Sequence, residues 1–257
     1  MYIRAAHDDA TIPMLRQLIR DNPLGTLVTA IRSKSHPLIL SSHIPFVLDI
    51  QNEDDEAELG VLRGHLARQN PQSKVLIEAI QSQYEAAPEN VLEDEIMVLF
   101  TTSAHHYVTP KFYVESKPST GKVVPTWNYA AAQVYGRARI YFDSKSDETS
   151  SFLSRQIDDL SELAEVSLMG HDGIDARPEA WKVADAPESY IKLMQKNIIG
   201  IEITIERLEG KFKMSQDKRP GDINGVINGF KNLGSDIGTQ MAELVEERAL
   251  LRGLKLG

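Results

Sequence analysis

Apolar and polar positions alternate along several stretches of this chain and follow a helical period along others, which divides it into strands and helices. The clearest strand is signalled by Ile201, Ile203 and Ile205 alternating with Glu202, Thr204 and Glu206. Strand-like stretches also fall at Gly25–Ile31, Leu38–Leu48 and Leu59–Leu66, and the wholly apolar run inside Glu95–Thr102 reads as a buried strand. Lys122–Tyr129 and Ala131–Phe142 read as a further strand pair. Pro125 then marks an edge or a bend, because it has no N–H for a central ladder. Helical spacing begins after Thr11, a suitable N-cap, with Pro13 in the first turn. Ile12, Leu15, Leu18 and Ile19 share one face until Asn22-Pro23 ends the helix. Gln72–Ala86 has helical composition and stops at Pro88-Glu89-Asn90. Glu148–Met169 predicts a long amphipathic helix with Phe152, Leu153, Ile157, Leu160 and Leu163 on its apolar side, and Ile237–Leu254 a charged one. Glu53-Asp54-Asp55-Glu56 reads as a solvated hairpin loop. Many antiparallel strands with helices at both ends and in the middle give an α+β fold, best met by a barrel.

Composition narrows the function classes. A chain of 257 residues forms one large β-rich domain with helical additions, or two small domains, and no linker in it demands a split. Apolar content of 42% with 25% charged residues supports a core without disulfide staples. The absence of cysteine excludes cysteine catalysis, thiolate ligation of haem and iron–sulfur clusters, and fits a reducing compartment. The segment from Met1 to Asp9 lacks the apolar centre of a signal peptide, and no run approaches the ~18–20 apolar residues of a membrane span. A cytoplasmic protein is expected, with nuclear entry left open and no membrane partner. A net charge of −9 disfavours direct nucleic-acid binding over a broad surface, Lys211, Lys213, Lys218 and Arg219 being the compact basic candidate. There is no helix-turn-helix pattern, zinc-finger spacing, GxSxG element or Gly-rich phosphate loop.

Two segments gather rings, an imidazole and anion-binding groups: Gly64-His65-Leu66-Ala67-Arg68-Gln69-Asn70-Pro71 and Val124-Pro125-Thr126-Trp127-Asn128-Tyr129. His65, at the end of a strand, suits an axial haem ligand or a histidine that fixes its own turn. Arg68 suits a propionate or flavin phosphate through bidentate bonds, or a salt bridge across a dimer. Asn70-Pro71 reads as an Asx-type turn followed by a fixed φ. In a strand, Trp127 and Tyr129 point to one side, as cofactor wall or as core, while Thr126 and Asn128 supply hydrogen bonds on the other. His105 and His106 face opposite ways if extended, so they do not share a metal. Lys211, Lys213, Ser215 and Gln216 offer donors to an anion, or form a solvated basic turn.

In their order along the chain, these motifs resemble the PaiB family. They are Asn22–Thr29, Ser42-His43-Ile44-Pro45, Gly64–Pro71, His105–Tyr113, Gly121–Tyr129 and Glu209-Gly210-Lys211-Phe212-Lys213-Met214-Ser215-Gln216. The resemblance covers roughly residues 1 to 230, a split-barrel domain, and leaves 231 to 257 as a C-terminal helical extension. It implies an antiparallel split β-barrel of the FMN-binding type with peripheral helices, and a homodimer holding its cofactor at the subunit interface. Family members are known as FMN-binding negative transcriptional regulators, and haem-dependent piperazate synthases, which form an N–N bond in N5-hydroxyornithine, are similar. The chain departs from the pattern at Arg4, where proline is usual, at His106 (a small residue), at Phe112 (tryptophan), at Gln133 (histidine) and at Asp217 (asparagine).

Two functions follow from the resemblance, beside a third reading in which the split barrel is a scaffold that binds no cofactor. One is a cofactor-binding regulator, negative in transcription or redox-linked, that holds flavin or haem through His65, Arg68, Trp127, Asn128, Tyr129, His105 and Lys211. The other is a haem enzyme of the piperazate-synthase kind, with His65 on the iron and His105, His43 or Lys211 accepting a proton. Fold cannot choose between them, because function resides in the site.

Overall fold

The computed structural model describes residues 1–83 and 90–254. In chain order its helices are α1 (Ile12–Asp21), α2 (Pro71–Ser82), α3 (Ser116–Thr120), α4 (Asp147–Glu162), α5 (Glu188–Gln195), α6 (Pro220–Lys231) and α7 (Asp236–Leu251). The strands are β1 (Leu24–Ala30), β2 (Ile39–Pro45), β3 (Val47–Asp49), β4 (Val61–Ala67), β5 (Ile96–Thr101), β6 (His106–Val108), β7 (Thr126–Tyr141) and β8 (Ile198–Lys213). They form an antiparallel sheet in the order β2-β1-β5-β7-β8-β4-β3, with β6 on β7, within the expected α+β fold. The chain divides into two compact units, one of Met1–Leu18, Thr101–Gln133 and Glu209–Gly257, the other of Ile19–Phe100 and Val134–Leu208.

The second unit is held by strand pairing with an apolar inner face. β4 runs against β8 from Val61↔Thr204 to Ala67↔Ile198, which buries Leu62, Ile199, Ile201 and Ile203 completely. β1 pairs with β2 and with β5, and Phe46 packs edge-on to Phe100 at 5.9 Å. Arg63 is a buried charge in this unit: its guanidinium binds Asp49 at 2.5 and 2.8 Å and Asp159 at 2.7 Å, tying β3 and β4 to α4. Both partners are part-exposed, so the arginine is neutralised without burying a carboxylate. In the first unit α6 and α7 pack through Ile223, Val226, Phe230, Met241, Ala242 and Val245, all buried.

Most expected elements are present, with Thr11 accepting from the Met14 amide at the start of α1. Asn70 caps α2 through the Gln72 amide at 2.8 Å, with Pro71 in the first turn, as an Asx-type turn requires. The end expected for that helix, Glu85-Ala86 and the break at Pro88-Glu89, lies outside the described residues; its described end is Ser82. Three elements differ. Leu38–Leu48 is two strands, because Phe46 turns inward and its amide donates to Pro23 O at 2.9 Å. The expected strand pair at 122–142 is one strand, β7, since no turn residue separates Tyr129 from Ala131 and the small Ala130–Ala132 run packs inward. Lys122–Pro125 stays outside the ladder. The helix expected to Met169 is α-helical to Glu162 and then takes a π-helical turn, Leu163–Leu168. Among the described residues, no helix is long and apolar enough to cross a membrane.

Candidate functional site

In the first unit, β6 and β7 set the geometry: pairing of Tyr107 with Trp127 and His106 with Asn128 puts aromatic and polar side chains on opposite faces. Trp127 is 48% exposed and Asn128 fully buried. The Trp127 indole N–H donates to His105 Nδ1 at 3.2 Å, and Tyr107 lies edge-on to the same indole at 6.2 Å. Because Nδ1 of His105 is an acceptor there, a neutral His105 carries its proton on Nε2. His106 faces away onto Phe230 at 5.5 Å, so the adjacent histidines diverge as expected.

The inner side of this corner is rich in donors. Lys213, at the end of β8, donates to Thr126 Oγ1 and, at 2.6 Å, to Trp127 O, and burial lowers its pKa. Two of its three N–H bonds are thereby used, which leaves one. Ser215 donates to Asn128 Oδ1 at 3.0 Å from a left-handed backbone, φ +63°. That conformation is costly for a residue other than glycine and is held by the hydrogen bond. Asn128 Nδ2 and both ring nitrogens of His7 are buried without a partner. Burial lowers the His7 pKa; Asp217 opposes this, while Lys213, Arg4 and Lys211 add to it. Lys211 spans the Tyr129 ring at 5.2 Å and donates to Tyr2 O at 3.1 Å. Gln216 turns inward, accepting from the Met214 amide and donating to Phe212 O, and so shapes the turn.

In the second unit, His65 on β4 lines a cavity of about 470 Å³ with Ile157 and Leu160 of α4, Trp181, and Tyr190 and Met194 of α5. No charged residue lines this cavity among the described residues. His65 Nδ1 is sealed without a hydrogen-bond partner, and burial lowers the imidazole pKa. Arg68 donates to three backbone carbonyls, Phe142 at 2.6 Å, Lys196 at 3.2 Å and Ile198 at 3.3 Å, and its own amide donates to Asn197 O. Its fork clasps the backbone just after β7 and at the start of β8.

A family model described as "Putative FMN-binding domain" matches residues 1–207. An uncharacterized protein of Emericella nidulans is 58% identical over 99% of this chain and 100% of its own length. Protease synthase and sporulation protein PAI 2 of Bacillus subtilis is 26% identical over 96% of this chain and 98% of its own. Among solved structures, a conserved hypothetical protein of Mycobacterium tuberculosis has a TM-score of 0.45 at 11% identity, covering 85% of this chain and 94% of that one. The chain belongs to the PaiB-like FMN-binding family. Of the residues the family resemblance implied, Trp127, Asn128, Tyr129, His105 and Lys211 fall in the first unit, and His65 and Arg68 in the second.

Some site residues carried no motif. His7 was read as part of an N-terminal stretch, and its burial beside the lysines depends on the fold. The α5 wall of the cavity was missed, although Pro187 followed by Tyr190, Ile191 and Met194 carries helix-start chemistry and helical spacing that could have signalled it. Trp181, in an irregular segment, gave no period to read.

Proposed function

We propose that this protein is a PaiB-type split-barrel that holds FMN at the Trp127–Lys213 corner. The observation that carries this reading is the set of buried donors without partners, Asn128 Nδ2 and His7, in the unit that also holds the partly used ammonium of Lys213. Unpaired buried donors in the same unit as this cation suit a phosphate, which accepts several hydrogen bonds and supplies the missing charge. The part-exposed Trp127, Tyr107 and His105 rings suit a flat isoalloxazine. When bound, FMN would supply one- or two-electron redox chemistry. The chain's own part is to anchor the phosphate through Lys213, Asn128 and His7, and to orient the ring against Trp127.

Haem is supported less well. An iron-bound histidine ordinarily donates its other N–H to an acceptor, and His65 Nδ1 has none. His105 offers its Nδ1 lone pair to Trp127. The haem-regulator reading and the N–N bond-forming enzyme both need His65 as the iron ligand, and its partnerless Nδ1 weighs against that role. A homodimer in the cytoplasm, with a regulatory output that passes through a protein partner, accords with the family and with the net charge of −9.

An absorption spectrum of the purified protein, before and after addition of FMN or haemin, tests this. The reading predicts a saturable flavin difference spectrum that is lost in Lys213→Met. A Soret band abolished by His65→Ala, with no flavin signal, would contradict it.

A further inference from the structure

The His65 cavity belongs to the second unit, none of the residues assigned to FMN lines it, and its chemistry differs from theirs. Its walls are Ile157, Leu160, Trp181, Tyr190 and Met194, with His65 as a polar group at one side. A phosphate or carboxylate placed there would meet no lysine or arginine, and desolvating an unpaired anion is costly. Space of about 470 Å³ between aromatic and aliphatic walls suits a small ring system.

His65 indicates which polar group the guest carries. A buried N–H without an acceptor is rarer in proteins than an under-used acceptor. With Nδ1 sealed and partnerless, the proton therefore belongs on Nε2, the nitrogen left to face the cavity as a donor. The Trp181 wall is braced as well. Glu165 accepts from His171 Nδ1 at 2.7 Å and from the Trp181 amide at 3.4 Å, and Glu165 lies in the π-helical turn that follows α4. Such turns concentrate at functional sites.

We propose that this cavity is a binding site for an uncharged, flat carbonyl compound of the aryl ketone or quinone class, whose oxygen accepts from His65 Nε2–H while its ring lies between Trp181 and Met194. The site is independent of the FMN assignment.

The test is a fluorescence titration with prodan, an uncharged naphthyl ketone whose emission moves to the blue in apolar surroundings. Running it on both the wild type and Lys213→Met separates this site from flavin binding, and the two should behave alike. Saturable blue-shifted binding is expected, displaced by naphthoquinone and not by naphthalenesulfonate. His65→Leu should weaken it about 2- to 10-fold, the worth of one net hydrogen bond. Ala186→Trp, which fills the cavity, should abolish it, and Met194→Trp serves if that variant fails to fold. Unaltered binding in a folded cavity-filled variant, undiminished binding in His65→Leu, or displacement by naphthalenesulfonate would overturn the proposal. So would a haemin Soret band that His65→Leu removes.

Discussion

Asn128 shows at the scale of one residue how the proposed site is poised. Its Oδ1 is committed to Ser215 while its Nδ2 points into protein without a partner, a state that costs stability unless a ligand fills it. Asn128→Asp keeps the shape and replaces that donor by a carboxylate oxygen. It should weaken FMN binding at least about tenfold, because a charged hydrogen bond becomes a repulsion worth about 1.5–3 kcal/mol. Fluorescence titration of FMN against this variant measures the change, and an unaltered affinity would remove Asn128 from the site. His7 and His65 give a second residue-level consequence. Burial is the main cause that lowers both pKa values below the ordinary 6.5. The unfolded chain therefore binds more protons than the folded one once the pH falls below that value. The stability these neutral imidazoles allow is complete above pH 6.5 and is lost as the pH falls towards the depressed folded values. Thermal melts at pH 7.5 and 5 should show a drop that shrinks in His65→Leu; an identical drop would mean that His7 or carboxylates account for it and that His65 does not.

Among the elements, β7 carries the most information. It runs sixteen residues without interruption, and Gly136 lets it do so: a Cβ there would sit 2.0 Å from Thr204 O on β8. Gly136→Ala should cost about 3 kcal/mol, the upper range for overpacking, since the obstacle is backbone and cannot rotate away. A chemical-denaturation midpoint close to that of the wild type would show that β7 and β8 separate easily at this point. Gly200 plays a comparable part opposite His65, where a Cβ would meet the Phe152 ring at 2.4 Å while that ring stacks on Tyr141 at 3.9 Å. Strand alternation made β8 and β1 readable directly, and a wholly apolar run did the same for β5. It misread β7 as a pair, because an alanine run is silent about burial and Pro125 looked like a break within a strand when it only precedes one. Arg68 was legible as a fork suited to two acceptors, but not as a clasp for backbone carbonyls, since those carbonyls are more than seventy residues away. The Trp127–Asn128–Tyr129 alternation was legible from period alone. His7 was not, because nothing in its neighbours along the chain announces burial.

For the whole molecule, family membership and an acidic surface bear on assembly. For the homodimer proposed above, the exposed Trp127, Tyr107 and Val114 of the first unit provide apolar surface that such an interface would cover. Light scattering should give twice the mass of one chain, with or without FMN; a monomer under both conditions would contradict the dimer. The central claim is that the phosphate of FMN, and not its ring alone, is recognised by Lys213, Asn128 and His7. Isothermal titration with FMN and with riboflavin, which lacks the phosphate, tests it most directly. FMN should bind at least about tenfold more tightly than riboflavin, and Lys213→Met should erase the difference by removing a charge-assisted contact. Equal affinity for the two flavins, or a preference for FMN that survives Lys213→Met, would contradict the account.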